Sequence, residues 1–247
     1  MQTWSKNSIM LSFRRLACAV APFLVLIGGP DPAAARPRAA APHVLELFTA
    51  QGCTGCAEAD QALKGVIGRP DLLVLAFPVD YWDYLGWKDT FARPEFTQRQ
   101  AAYKARFKLR ETYSPQLVID GRSEGPGVDL ARIEHATATV ARRTLRFRLS
   151  HGRVRVSGWA PGGDADVWLV RYDPQDQAVA VKSGENRGKT LSQQNIVRAL
   201  VKLGRWRGVT ATYDLPAAVP ATPDAALKTV VLVQAPRGGA ILGVGQF

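Results

Sequence analysis

Cysteine is scarce in this sequence, with three in 247 residues, and histidine and methionine are as rare, with three and two. So few cysteines exclude a small domain stapled by several long-range disulfides. Structural zinc wants four ligands, and Cys53, Cys56, His43, His135 and His151 sit at spacings that match no zinc motif. Long apolar runs are scarce too: after the first 30 residues no segment is apolar enough to cross a membrane. There is no internal repeat, and the one biased tract is the Ala/Pro/Arg segment of residues 32–42. The charged loop Gly184–Gly188 lacks the spacing and context of a phosphate cradle. No cofactor is expected.

The apolar run that does exist, Leu16 to Gly29, follows Arg14-Arg15 and precedes Ala33-Ala34-Ala35. A basic start, a short apolar stretch and a small-residue site in that order predict a signal peptide over residues 1–35, then a linker over 36–42. The chain is expected to be exported, to the periplasm or beyond. Cys18 leaves with the leader, so Cys53 and Cys56 are the only cysteines of the mature protein. Net charge is +11; Lys6, Arg14 and Arg15 against Asp31 put +2 of it in the leader, leaving about +9. Such a surface suits weak contact with anionic envelope material, whereas nucleic acid is not an expected partner of an exported chain. The oligomeric state is not legible.

Val44 to Phe48 reads as a buried strand, followed by a polar turn, C-x-x-C at Cys53 and Cys56, and the helix-forming run Ala57 to Lys64. Cys53 then opens a helix, facing its free N–H groups and solvent, and Cys56 lies one turn on, toward the sheet. The unpaired N–H groups, the positive helix end and the second thiol all favour a Cys53 thiolate. A thiolate attacks disulfides, and the second cysteine can resolve the mixed disulfide. As a staple the pair closes too small a loop to add much stability.

Leu72 to Phe77 is a second apolar strand, completing a βαβ unit. The loop beyond it carries Asp80, an acid candidate, and Trp82 and Trp87, which could wall a substrate groove or form a small core. Arg93-Pro94-Glu95 opens a helix to about Phe107. Ser114-Pro115 precedes a strand that ends in Asp120-Gly121, a hairpin signal. A short strand near Arg122 to Glu124 and a helix from Val128 to about Ala141 follow. Glu46, the lone acid of the first strand, is either a buried base near the thiols or a carboxylate at an exposed strand edge.

The order β-α-β-α-β-β-α, with C-x-x-C after the first strand and X-Pro before the third, resembles the thioredoxin fold. That resemblance implies a cis bond between Ser114 and Pro115 facing the dithiol, and a proton-handling role for Glu46. Glu46 to Cys56, Val79 to Asp83, Gly86 to Asp89, Phe96-Thr97-x-Arg99-Gln100, Tyr113-x-Pro115-Gln116 and Gly184 to Leu191 together resemble a secreted bacterial thioredoxin-like family catalogued as a domain of unknown function. Ala57 departs from it, since many relatives carry Pro there.

From Thr144 the pattern changes. Leu145 to Leu149 and Arg153 to Val156 alternate around His151-Gly152, a hairpin with one apolar and one arginine face. Strands are expected near Val167–Tyr172, Ala178–Lys182, Thr229–Gln234 and Ile241–Gly245, and Asn195 to Leu203 fits a strand better than a helix. The expectation is an α/β thioredoxin-like domain over residues 43–143, followed by a small antiparallel β-sandwich domain over 144–247. The corresponding function is thiol–disulfide exchange through Cys53 and Cys56, with Ser114, Pro115 and Glu46 in support and a disulfide or dithiol protein as partner. The rival classes are a Cu(I) carrier using the two thiolates and an envelope binding module without catalysis.

Overall fold

A computed structural model describes residues 1–2, 41–138, 145–158, 164–216 and 227–247. All but the first two residues of the expected signal peptide, and most of the linker, lie outside these residues. The chain divides into a unit of residues 1–38 and a unit of residues 39–247; the elements below belong to the second. No helix among the described residues is long and apolar enough to cross a membrane.

The first half runs β1 (His43–Thr49), α1 (Thr54–Lys64), β2 (Leu72–Pro78), α2 (Pro94–Phe107), β3 (Gln116–Ile119), β4 (Ser123–Pro126) and α3 (Leu130–Ala138). Among the described residues of the second half every regular element is a strand: β5 (Arg146–Ser150), β6 (Arg153–Ser157), β7 (Ala165–Asp173), β8 (Gln177–Ala180), β9 (Thr190–Gln193), β10 (Ile196–Trp206), β11 (Ala211–Asp214), β12 (Lys228–Gln234) and β13 (Ile241–Gln246).

The expected architecture, a thioredoxin-like α/β domain with a separate β-sandwich behind it, is not what forms. Strand dominates, and one mixed eight-stranded sheet runs through both halves in the order β13-β12-β7-β10-β2-β1-β3-β4. The reason lies at β2. Its apolar run is buried at every position, so it must be covered on both faces and paired on both edges. β1 takes one edge in parallel register. The other is taken by the start of β10, where Ile196 pairs with Ala76. The Ala76 amide donates to the Asn195 carbonyl at 3.0 Å, and the Asn195 side chain donates to the Val74 carbonyl at 2.9 Å. β7, β12 and β13 then extend the sheet antiparallel beyond β10.

The expected hairpin of β5 and β6 joins β11 in a three-stranded sheet. Its apolar side, Leu145, Val154 and Val156, packs on Val167, Leu169, Val231 and Val233 of the large sheet, and its arginines are exposed. So the second layer of the would-be sandwich is the shared sheet itself. On the first half's strands, α1, the turn after it and α3 cover one face through Leu63, Val66 and Ile133, over Leu45, Leu47 and Val74. α2 covers the other through Phe96 and Tyr103, over Phe48, Leu75 and Phe77. Phe77 meets Phe48 and Phe96 with ring centroids 5.4 and 5.5 Å apart. β8 and β9 form a detached hairpin laid along α1, held by Lys64 to Asp176 at 2.8 Å.

Candidate functional site

The chain leaves β1, turns at Ala50 to Gly52 and enters α1 with Cys53 as its N-cap residue. Cys53 and Cys56 are joined as a disulfide. The pair is more enclosed than the sequence suggests. Cys53 is 2% exposed, not open to solvent as expected, and Cys56 is 0% exposed; Thr54 and Gly55 between them are exposed. Ser114 and Pro115 close one side. Their peptide bond is cis, the Ser114 carbonyl oxygen lies 3.6 Å from Cys53 Sγ, and a Cβ placed on Gly55 would stand 3.6 Å from Pro115 Cδ. A disulfide sulfur has no proton, so that sulfur–oxygen approach is a contact now and becomes a hydrogen bond only when Cys53 is a thiol. Trp82 sits at the same rim: its indole N–H donates to Ser114 Oγ at 2.6 Å, and a Cβ placed on Gly52 would stand 3.3 Å from Trp82 Cβ.

A second group of contacts holds the turn from behind. Gln51 is fully buried. Its amide N–H donates to Asp89 at 2.7 Å, its side-chain oxygen accepts from the Trp87 indole at 2.9 Å, and its side-chain nitrogen donates to Gln193 at 3.2 Å. Asn186, also fully buried, donates to the carbonyls of Gln51 and Cys53 at 2.9 and 3.0 Å. Glu185 accepts from the Thr54 hydroxyl at 2.6 Å and from the Thr54 amide at 3.3 Å. The loop between β8 and β9 thus grips the C-x-x-C turn directly.

The family model described as "Protein of unknown function (DUF1223)" matches residues 44–234. The chain belongs to this family. The match spans the disulfide, Ser114-Pro115 and the 183–189 loop, so the family unit includes every contact just described. A crystallised protein of Agrobacterium tumefaciens is 31% identical, covers 85% of this chain and 96% of its own, and superposes with a TM-score of 0.70. HBP35 of Porphyromonas gingivalis covers 84% of this chain and 75% of its own with a TM-score of 0.57 at 13% identity, a likeness of fold alone. No curated protein matches.

Within this member of the family, Glu46 is buried rather than at an exposed edge, but it is spoken for. Arg99 Nε donates to it at 2.6 Å and the Tyr103 hydroxyl donates to its other oxygen. The Arg99 guanidinium lies 5.5 Å from the ring centres of Phe77, Tyr103 and Trp168. Burial alone would push the Arg99 guanidinium down, and the Glu46 charge reverses this and holds it above its ordinary value. Among the described residues no hydrogen bond joins Glu46 to either cysteine. Asp80 is tied to Thr97 Oγ1 at 2.6 Å, which anchors the start of α2. Trp87 faces Gln51, behind the turn.

The buried acid on the dithiol's own helix is Asp60, which reads in the sequence as part of a helix-forming run. It lies four residues past Cys56, the spacing that sets two side chains on one helix face with Cβ atoms about 5–6 Å apart. It is 6% exposed. Burial raises its pKa from 3.8 to about 7, against the lowering effect of hydrogen bonds from Thr49 and Gln193; the nearby Asp89 raises it and Lys64 lowers it. A carboxyl so poised can take or give a proton near neutrality. Among the described residues no group of three or more His, Cys, Asp or Glu is placed to hold a metal ion.

Proposed function

We propose that this protein is an exported thiol–disulfide oxidoreductase that exchanges two electrons with a disulfide or dithiol partner through Cys53 and Cys56. The observation that supports it is the placing of the cysteine pair at the opening of α1 against Ser114-Pro115, with Cys53 Sγ 3.6 Å from the Ser114 oxygen. The reading rests on that local chemistry and not on a fold likeness, and the leader-like residues 1–35 supply the expectation of export, where disulfides persist.

In the reducing direction the Cys53 thiolate attacks one sulfur of the partner's disulfide. That bond breaks, and the departing partner thiolate takes a proton from water. Cys56 then loses its proton to Asp60, attacks Cys53 Sγ and releases the partner's second sulfur as a thiolate, which is protonated in turn. Two electrons pass to the partner, and the Cys53–Cys56 bond forms. Oxidation of a dithiol partner runs the same steps backward. The enclosure of both sulfurs favours a slender substrate, a small disulfide or an extended chain laid over Gly55 and Pro115. The test is turnover of a model protein disulfide with a dithiol reductant. A rate that disappears in Cys53→Ser supports the reading; no turnover above the uncatalysed rate refutes it.

A further inference from the structure

The opening of α1 has a feature that runs against the expected ease of forming a Cys53 thiolate. A helix N-terminus stabilises an anion because its first N–H groups are unpaired and point at the ligand. Here three of the amides at that end, those of Cys53, Thr54 and Cys56, are engaged. The Cys53 amide donates to the Ala50 carbonyl at 3.2 Å, and the Cys56 amide to the Cys53 carbonyl at 3.2 Å. The Thr54 amide and hydroxyl go to the Glu185 carboxylate. That carboxylate reaches the helix from 131 residues away in sequence, and the fully buried Asn186 beside it fixes the loop to the carbonyl of Cys53 itself. The exposed Glu185 carboxylate therefore already sits at the positive end of the helix that a thiolate would use.

We propose that Glu185 is a positioning residue that biases the Cys53–Cys56 pair toward its disulfide, by holding the helix N-terminus that would otherwise stabilise a Cys53 thiolate. The proposal deepens the dithiol chemistry inferred above and rests on it. The disulfide carries no charge and is indifferent to the carboxylate. Reduction takes two electrons from a dithiol reductant and two protons, and at a pH where Cys53 then ionises, its sulfur and Glu185 share one helix turn. Other charged groups on the surrounding elements are Glu58, Asp60 and Lys64 on α1, Asp83, Lys88 and Asp89 before α2, and Arg187 and Lys189 beside Glu185. Among the described residues, Glu185 alone of these hydrogen-bonds the first turn. Lys189 is engaged with Asn186 Oδ1 at 3.1 Å.

The sign and the pH window follow from the charge. Thiolate repulsion lowers the stability of the reduced form only where the thiolate is populated, at and above the ordinary thiol value of about 8.5. Glu185→Gln keeps an acceptor for Thr54 and removes the charge. In a Cys56→Ser background, thiolate absorbance of Cys53 should appear at lower pH in Glu185→Gln, its ionisation constant rising about threefold. In the unsubstituted pair, equilibration with glutathione at pH 9 should shift about two- to threefold toward the dithiol, about 9–14 mV at 29.6 mV per tenfold. At pH 6 the shift should vanish, and at pH 9 about 1 M salt should suppress it. Glu185→Asp, which keeps the charge, should stay near the parent. An unchanged ionisation in Glu185→Gln, or an equal shift at pH 6 and pH 9, overturns the proposal, since the second pattern is what a merely structural contact would give. A chain that fails to turn over disulfides yet shows the predicted shift would sink the oxidoreductase reading and leave the electrostatics standing.

Discussion

Replacing Asp60 with Asn separates two consequences of one buried carboxyl. The side chain is 6% exposed and accepts from Thr49 Oγ1 at 3.1 Å and Gln193 Nε2 at 3.2 Å, both at the same oxygen. An Asn oxygen can accept both bonds, so the substitution removes the charge with little repacking. In the folded chain the pKa rises from 3.8 to about 7. The folded state therefore holds the proton more tightly than the unfolded state, and stability falls as pH rises between those two values. The loss is absent below about pH 4 and complete above about pH 7. At about 1.4 kcal/mol per tenfold it is capped at about 4 kcal/mol; local relaxation and water entry reduce this, so about 1–3 kcal/mol is expected. Urea unfolding of the oxidised protein between pH 4.5 and 8.5 measures it. The Asn variant should lose that pH slope and be the more stable protein at pH 8. Curves that stay parallel across the range, or an Asn variant less stable at pH 8, would refute the burial argument. The same variant tests proton transfer: if Asp60 receives the Cys56 proton, resolution of a Cys53 mixed disulfide should slow about 100-fold or more between about pH 7 and pH 8, the size of a lost general base.

Cys56→Ser should accumulate mixed disulfides through Cys53, and Cys53→Ser should accumulate few, as read by mass spectrometry after exposure to a disulfide substrate. Arg99→Ala should destabilise by about 3–5 kcal/mol in urea melts, because it leaves the Glu46 carboxylate buried without its counter-charge. Asn186→Ala should cost about 1–3 kcal/mol by the same measurement, since the Gln51 and Cys53 carbonyls lose their shared donor, and it should speed alkylation of the reduced Cys53 by loosening the turn.

What the sequence shows of this site is what acts over a few residues. The strand, the turn, the C-x-x-C spacing and the helix-forming run are neighbours in the chain, and they place Cys53 at the head of α1 as read. The cis Ser114-Pro115 bond beside it came from a resemblance, not from the physics of the local sequence. Glu46 shows as a lone acid in an apolar strand, a pattern open to burial or to an exposed strand edge. Its counter-ion does not show, because Arg99 sits in a helix whose other charges face solvent, and only packing reveals which one turns inward. Asp60 is harder still: an acid among Ala, Glu and Lys in a helix carries no mark of burial until β9 supplies Gln193 to cover it.

The architecture fails to be legible for a related reason. A run such as Leu72–Phe77 says that both faces of β2 are covered, but backbone edges carry no side-chain signature, so the strand that fills the free edge is invisible. That strand turns out to be β10. It brings with it the β8–β9 hairpin, because β9 ends at Gln193 and β10 begins at Ile196, a connection too short to let the hairpin stray from α1. Asn195 sits in that connection with its side chain on the Val74 carbonyl, which pins the join to β2. Glu185 and Asn186 reach the head of α1 as a consequence. The edge pairing of β2 and the clamp on the dithiol turn are thus one structural event, and the carboxylate that binds Thr54 is brought there with the same strand that turns two expected domains into a single sheet.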